Sequence, residues 1–340
     1  MASQLSYFLW NSPPDEILTE LASSGDLYNE LPEQIERMIN NPKIENLIQS
    51  FAYEWLRLDR HKNMDVNVER YEDYTRFVKE DMLKETFYFI SHILKKNLSV
   101  MNFIDSDFAM LNQNLAEFYG IEGVKGDWFR PVSLNQQHRR GGLLSQGSFL
   151  TGHSDGVQAH TIKRAVWLKE KILGDHPPPP PPNVPELDPD TPGFENLTLK
   201  EQLFLHRNKV SCMDCHQKID PFGVVFENYD ATGRYHLSLN GKSIDSKSIL
   251  PDGSEVTGIE GIKDYILRLK KKDFTKALVE NLYAYALGRD VGFEDEEEIS
   301  NIVAEVVDDD FRFQTIIEQI VMTPSFYKKE LTWLDKIVGK

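Results

Sequence analysis

Apolar residues recur at helical spacing along most of this 340-residue chain. In "PKIENLIQSFAYEWLRL", Ile44, Leu47, Phe51, Trp55 and Leu58 fall close to one face, which predicts an amphipathic helix. "EDYTRFVKEDMLKETFYFISHILKK" predicts a long helix with Phe77, Val78, Met82, Phe89 and Ile93 as its stripe. "DFAMLNQNLAEFYGI" predicts another, closed by Gly120 as a C-cap. "HTIKRAVWLKEKILG" predicts a further one with Ile162, Val166 and Leu173 inward. Near the start, Ser12 and Asp15 resemble a capping box, with Pro13 at the first helical position. Four more helical patterns close the chain: "IEGIKDYILRLKK", "DFTKALVENLYAYALGRD", "EDEEEISNIVAEVV" and "FRFQTIIEQIVMTPSFYKK". There Tyr283 and Tyr285 join Phe274, Leu278 and Leu282 as core candidates. The acidic run from Glu294 to Glu298 suits a helix start, where carboxylates meet the positive end of the dipole.

The pattern breaks in three places. "RRGGLLSQGSFLTGHSDG" is rich in glycine and small polar residues, which predicts a short helix and loop packed closely on neighbours. "DHPPPPPPNVPELDPDTPGF" carries six consecutive prolines from Pro177. Such a run forms polyproline II, without amide donors, and predicts a semi-rigid strap between domains; a docking site for a proline-reading partner is the other possibility. "TLKEQLFLHRN" predicts a short helix, and "GKSIDSKSILPDGSEVTG" a small β-hairpin turning at Pro251-Asp252-Gly253. The fold class expected is therefore mainly α, with one short hairpin. The expected organisation is a helical module at 1–175, a proline-rich linker at 176–196, a cysteine-bearing module at 197–257 and a C-terminal helical module at 258–340. No internal repeat is present.

Composition narrows the partners. With 38 basic and 54 acidic residues the net charge is −16, which argues against nucleic acid and an anionic membrane surface. No apolar run approaches the length of a membrane span. The opening "MASQLSYFLWNSPPDE" lacks the basic flank and apolar core of a signal peptide. Its direct entry into a helical pattern leads to the expectation that an export signal lies outside this sequence.

The two cysteines of the chain stand together in "NKVSCMDCHQKIDPFG", three positions apart, with His216 directly behind the second. Cys212 and Cys215 at this spacing fall one helical turn apart. A thioredoxin-like redox pair needs a preceding strand, whereas helical and proline-rich sequence precedes this one. A zinc site needs four ligands, so histidines such as His206 and His216, or carboxylates, would have to complete it. In covalent haem attachment the two thiols add across the porphyrin vinyl groups and the adjacent histidine binds the iron. Cys212-Met213-Asp214-Cys215-His216 has that order, and the absence of other cysteines suits it, since a stray thiol could form a wrong disulfide during export. No G-x-S-x-G, H-E-x-x-H or phosphate-cradling G-x-x-x-x-G-K occurs.

"CMDCHQKIDPFGVVFENYDATGRYH" resembles the haem module of the planctomycete-type multi-domain cytochrome c family, whose modules are domains of unknown function. The resemblance extends over nearly the whole chain, through "NSPPDEILTELASSGDL", "FAYEWLRL", "RRGGLLSQGSFL", "IKRAVWL", "PPPPPPNVPELD", "HRNKVSCMDCHQKIDP", "ILPDGSEVTG" and "YALGRD". It implies haem c on Cys212 and Cys215, iron on His216, further modules in longer relatives and a periplasmic or cell-surface location. The role expected is electron transfer to a redox partner whose identity the residues do not define. A haem enzyme, peroxidase- or oxygenase-like with an open distal site, and a non-haem module using the cysteines for zinc or structure stay as alternatives.

The sixth iron position separates the first two. Met322 in "QIVMTPSF" is the only methionine after the motif, and a thioether there would close the site. His160, His153 and His236 are further candidates, although surface or hydrogen-bonding roles suit them and His138 better. Arg234 could hold a haem propionate with its fork, or pair with Asp230 or Glu227. Phe222, Val224, Val225 and Phe226 suit haem-pocket walls, and Asp220-Pro221 suits the turn that ends the motif helix. Arg139, Arg140, Lys163 and Arg164 could mark an anionic ligand site or pair with acidic neighbours.

Overall fold

The computed structural model describes residues 1–178, 200–201, 210–239 and 241–327, with the side chains of residues 210–215 outside the description. The strap beyond Pro178, the "TLKEQLFLHRN" helix apart from Lys200 and Glu201, and His206 lie outside the described residues. The fold is mainly α: helix makes up 58%, in 15 helices among the described residues. In chain order these are α1 (Ala2–Trp10), α2 (Glu16–Ser24), α3 (Leu31–Ile39), α4 (Ile44–Trp55), α5 (Leu58–Asn63), α6 (Arg76–Lys95), α7 (Gln113–Tyr119), α8 (Gly147–Gly152), α9 (Thr161–Trp167), α10 (Val210–Val224), α11 (Gly258–Leu269), α12 (Lys271–Leu287), α13 (Glu296–Asp308), α14 (Phe313–Met322) and α15 (Pro324–Tyr327). Three two-stranded antiparallel ladders accompany them: β1 (Phe108–Leu111) with β2 (Arg130–Ser133), β3 (Ser238–Leu239) with β4 (Lys242–Ser243), and β5 (Lys247–Ile249) with β6 (Glu255–Thr257). The chain forms two compact units, each discontinuous in sequence: Met1–Trp55 with Ile90–Val100 and Thr275–Lys340, and Leu56–Phe89 with Met101–Phe274.

In the first unit the apolar face of α4 buries Ile44, Leu47, Phe51 and Trp55, at the spacing the sequence predicts. Phe51 stacks on Trp55 at 5.3 Å and meets the Tyr285 ring edge-on at 5.7 Å. The Tyr285 hydroxyl shares a 2.6 Å hydrogen bond with Ser50, while Tyr283 is fully buried. The last turns of α6 are tied to α4 by Lys95 and Ser91, which both donate to Glu45. Phe311 and Arg312, ahead of α14, bond back to the 97–100 segment: Val100 N–H donates to the Phe311 carbonyl and Arg312 to that of Asn97. The acidic run opens α13 as expected, but one member turns inward. The buried Asp295 carboxylate accepts two 2.7 Å hydrogen bonds from Arg289, and a longer one from Tyr283.

Helix α2 starts later than the sequence pattern suggests. Its N-cap is Asp15, whose carboxylate accepts from Leu18 N–H at 3.0 Å. Residues before proline are pushed out of the helical region, so Ser12-Pro13-Pro14 cannot supply the first turn.

In the second unit, the first turns of α6 bury Val78 and Met82 against Tyr74, Leu111, Leu115, Phe118 and Ile121. Phe77 is not part of this stripe and is 69% exposed. It precedes Val78 by one residue, about 100° around the helix. Residues 108–111, expected as the start of a helix, form β1 instead. The helix begins only after Asn112, whose side chain caps it by accepting from Leu115 N–H, and ends at the left-handed Gly120. Four apolar residues cannot distinguish a 3.6 from a 2.0 period, and the pairing with β2 decides. The hairpin β5–β6 turns over Pro251-Asp252-Gly253, as predicted.

Helix α9 buries a different face from the one expected. Thr161, Arg164, Ala165, Trp167, Leu168 and Ile172 are buried, whereas Ile162, Val166 and Leu173 are only partly so. The helix widens into a π turn over Leu168–Ile172, and Arg164 ahead of that turn is as fully buried as Ala165 and Leu168.

Candidate haem-binding site

Helix α10 carries the whole Cys212-Met213-Asp214-Cys215-His216 motif on helical backbone. At a spacing of three, the two cysteines lie one turn apart. His216 is followed four residues later by Asp220, so the two side chains share one helix face. The His216 ring is 13% exposed and the Asp220 carboxylate is fully buried. Nδ1 of His216 stands 2.9 Å from Oδ1 of Asp220. The carboxylate accepts, so Nδ1 is the nitrogen that carries the proton, and Nε2 is the nitrogen that holds the lone pair in the neutral ring. That is the arrangement by which a metal-ligating histidine is oriented.

Pro221 does not end this helix. It lies inside α10, which continues to Val224. A proline there removes one main-chain hydrogen bond, so local propensity argues for a break. Packing outweighs it: Phe222, Val224, Val225 and Phe226 are all buried. Helix α10 runs closely along α9, and a Cβ on Gly223 would lie 2.4 Å from both Cγ2 and the carbonyl oxygen of Thr161. Phe226 meets Phe149 edge-on at 5.4 Å, and the Lys169 ammonium stands 4.7 Å from the Phe222 ring centroid. These two phenylalanines therefore belong to the packing that fixes the motif helix.

Two buried arginines clamp the chain that follows. Arg164 on α9 is fully buried and donates to the main-chain carbonyls of Tyr229 and Asp230 at 2.7 Å, Leu150 at 2.8 Å and Phe226 at 3.3 Å. Burial pulls its pKa down to about 10, so it stays charged at neutral pH. Arg140 donates to the carbonyls of Ser145 and Gly233, each at 2.6 Å, and its guanidinium lies 3.3 Å from the Tyr119 ring centroid. Neither matches the anionic ligand site or the carboxylate pairing expected of them, because their donors serve buried main-chain carbonyls. Lys163 likewise donates to the Ser154 carbonyl, and Arg139 stands over the Tyr235 ring. A sequence signal existed only for Arg164: it falls on the same helix face as Thr161 and Leu168.

The "NYDATGRYH" loop is organised by Asp230, which sequence reasoning passed over as a site organiser. Oδ1 accepts from Thr232 N–H, Thr232 Oγ1 and Arg234 N–H, and Oδ2 lies 2.8 Å from His236 Nε2. Burial alone would raise the Asp230 pKa, but these hydrogen bonds, led by those of His236 and Thr232, hold it below its usual value. Arg234 does not pair with the Asp230 or Glu227 carboxylate in any described ion pair. Its guanidinium pairs with Asp73 at 2.9 Å and lies 4.2 Å from the Phe118 ring centroid.

The remaining candidates have local partners. His153 is buried, with Nδ1 2.9 Å from the Phe149 carbonyl. His160 caps α9 by accepting from Lys163 N–H, and His138 accepts from Asn135 N–H. Met322 ends α14 and is 37% exposed. It belongs to the first unit, whereas α10 belongs to the second. Among the described residues, no group of three His, Cys, Asp or Glu side chains converges to hold a metal ion.

Residues 1–121 match a family model described as "Protein of unknown function (DUF1592)", residues 140–238 one described as "Protein of unknown function (DUF1588)", and residues 252–326 one described as "Protein of unknown function (DUF1585)". The three consecutive matches fit a multi-domain protein, and these domains of unknown function are associated with cytochrome c-like proteins. The α10 motif lies within the second match. No curated protein and no solved structure matches the chain. No described helix is long and apolar enough to cross a membrane.

Proposed function

We propose that this protein is a c-type cytochrome-like electron carrier, with one haem c attached through Cys212 and Cys215 and its iron bound by Nε2 of His216. The observation that carries this reading is the 2.9 Å hydrogen bond from His216 Nδ1 to the buried Asp220 carboxylate. A metal-binding histidine needs its other nitrogen held in this way, and here the residue so held stands directly behind C-x-x-C. Bound haem would supply a one-electron iron couple. The chain would hold the histidine, limit water through Phe222 and Phe226, and offer Arg234 to a propionate. A strong ligand at the sixth position would favour electron transfer over binding of small molecules. Covalent attachment of haem follows export, so the proposed location is the periplasm or the cell surface.

Expression with an export signal and haem-attachment machinery tests this. Haem should remain on the chain after acid–acetone extraction and give a pyridine haemochrome spectrum of two thioether links. Cys212→Ala with Cys215→Ala should lose it while helical content persists. A purified, exported protein with two free thiols and no haem refutes the reading. A high-spin ferric spectrum in the loaded protein would favour a haem enzyme with an open site over an electron carrier.

A further inference from the structure

The buried carboxylate at the motif invites a role beyond packing. Asp220 is fully enclosed, and burying a carboxylate is costly unless it is strongly bonded. It sits one residue before an in-helix proline, in the stretch held against α9 by the close approach of Gly223 to Thr161. Arg164, also on α9, clamps the carbonyls of Phe226, Tyr229 and Asp230 just beyond the helix. The carboxylate therefore has little freedom to turn away from His216. A group held so firmly fixes both the tautomer and the rotation of the ring it bonds.

We propose that Asp220 is a positioning residue for the haem iron, which holds His216 with Nε2 as the ligating nitrogen and, through its charge, strengthens that ligand enough to keep the haem at a low reduction potential. This rests on the haem reading above. A full negative charge accepting from Nδ1–H increases electron density on the ring, so Nε2 becomes the better donor. A stronger donor stabilises ferric over ferrous iron, because the oxidised metal gains more from added electron density. The buried setting leaves the charge poorly screened, which enlarges its effect. The protein would then give up its electron readily, and its partner would be an acceptor of higher potential.

The test compares exported wild-type protein with Asp220→Asn and Asp220→Glu. Haem attachment is first verified on each by acid–acetone extraction. Asp220→Asn keeps the shape and removes the charge, so its midpoint potential should be more positive than wild type, while Asp220→Glu should stay closer to wild type. Equal potentials in wild type and Asp220→Asn, or equal shifts in both variants, would overturn the proposal. If Asp220→Asn does not fold, nitrogen NMR of His216 in unloaded wild-type protein at alkaline pH decides: the proton should reside on Nδ1, and a proton on Nε2 overturns the proposal. Absence of haem from the exported wild-type protein, with Nδ1 still protonated, refutes the haem reading and leaves the positioning of His216 by Asp220 standing.

Discussion

The Arg164 guanidinium donates to the Tyr229 carbonyl at 2.7 Å, and through its other donors it joins α8, α9 and the chain after α10 at one buried point. Four carbonyls on two segments, α8 and the chain after α10, depend on a single side chain. Replacing it strands them in the interior without donors, and each stranded group costs about 1–3 kcal/mol. Arg164→Met should therefore destabilise the protein by roughly 3 kcal/mol or more. Lys163→Ala, one residue away and partly exposed, should cost less than about 1 kcal/mol. Urea unfolding of the two variants checks the contrast, and equal losses would show that Arg164 is not the clamp.

Gly223 is required by proximity. An added Cβ would meet both the Thr161 methyl and the Thr161 carbonyl at 2.4 Å. Gly223→Ala should cost about 1–3 kcal/mol through overpacking. Thr161→Ser removes the methyl but leaves the carbonyl, so it should not restore Gly223→Ala to wild-type stability. Full rescue in the double variant would show that only the methyl mattered.

Stability should fall as the pH drops below about 6.5. Burial holds His61 down to about 4, His153 to about 3 and His160 to about 4, from an ordinary 6.5. The unfolded chain binds these protons first, so acid favours unfolding. Glu85 acts in the opposite sense. Burial raises it to about 7 from 4.5, so it favours the folded state as the pH falls through that window. Of these four groups the three histidines outweigh the one carboxyl, so their net effect between about pH 6.5 and 4.5 is a loss of stability. Thermal unfolding at pH 7, 6 and 5 should show a falling midpoint. His153→Phe should flatten the slope and Glu85→Gln should steepen it; a midpoint independent of pH would refute the assignment.

The Arg234–Asp73 pair is open to solvent, with side chains 30% and 75% exposed. Exposed pairs contribute little, so Asp73→Asn should change stability by less than about 1 kcal/mol. If Arg234 holds a propionate in the loaded protein, Arg234→Gln should shift the midpoint potential and Asp73→Asn should leave it nearly unchanged. Identical potentials in all three proteins would remove Arg234 from the haem site.

The sequence by itself determined whatever depends on near neighbours. The stripe on α4, the Gly120 cap, the turn at Pro251-Asp252-Gly253 and the helical placement of the cysteine motif are all local, because 3.6-residue periodicity and turn chemistry act within a few positions. The expectation of haem at Cys212, Cys215 and His216 is local in the same way. Tertiary structure alone decided the rest. Residues 108–111 became a strand because β2, about twenty positions on, supplied a partner. Pro221 stayed in α10 because packing on α9 outweighs one lost hydrogen bond. Arg234 found Asp73, 161 positions away, and Arg164 found carbonyls up to 66 positions away. A charged side chain announces its need for partners but not which ones, because that choice belongs to whatever the folded chain brings within reach.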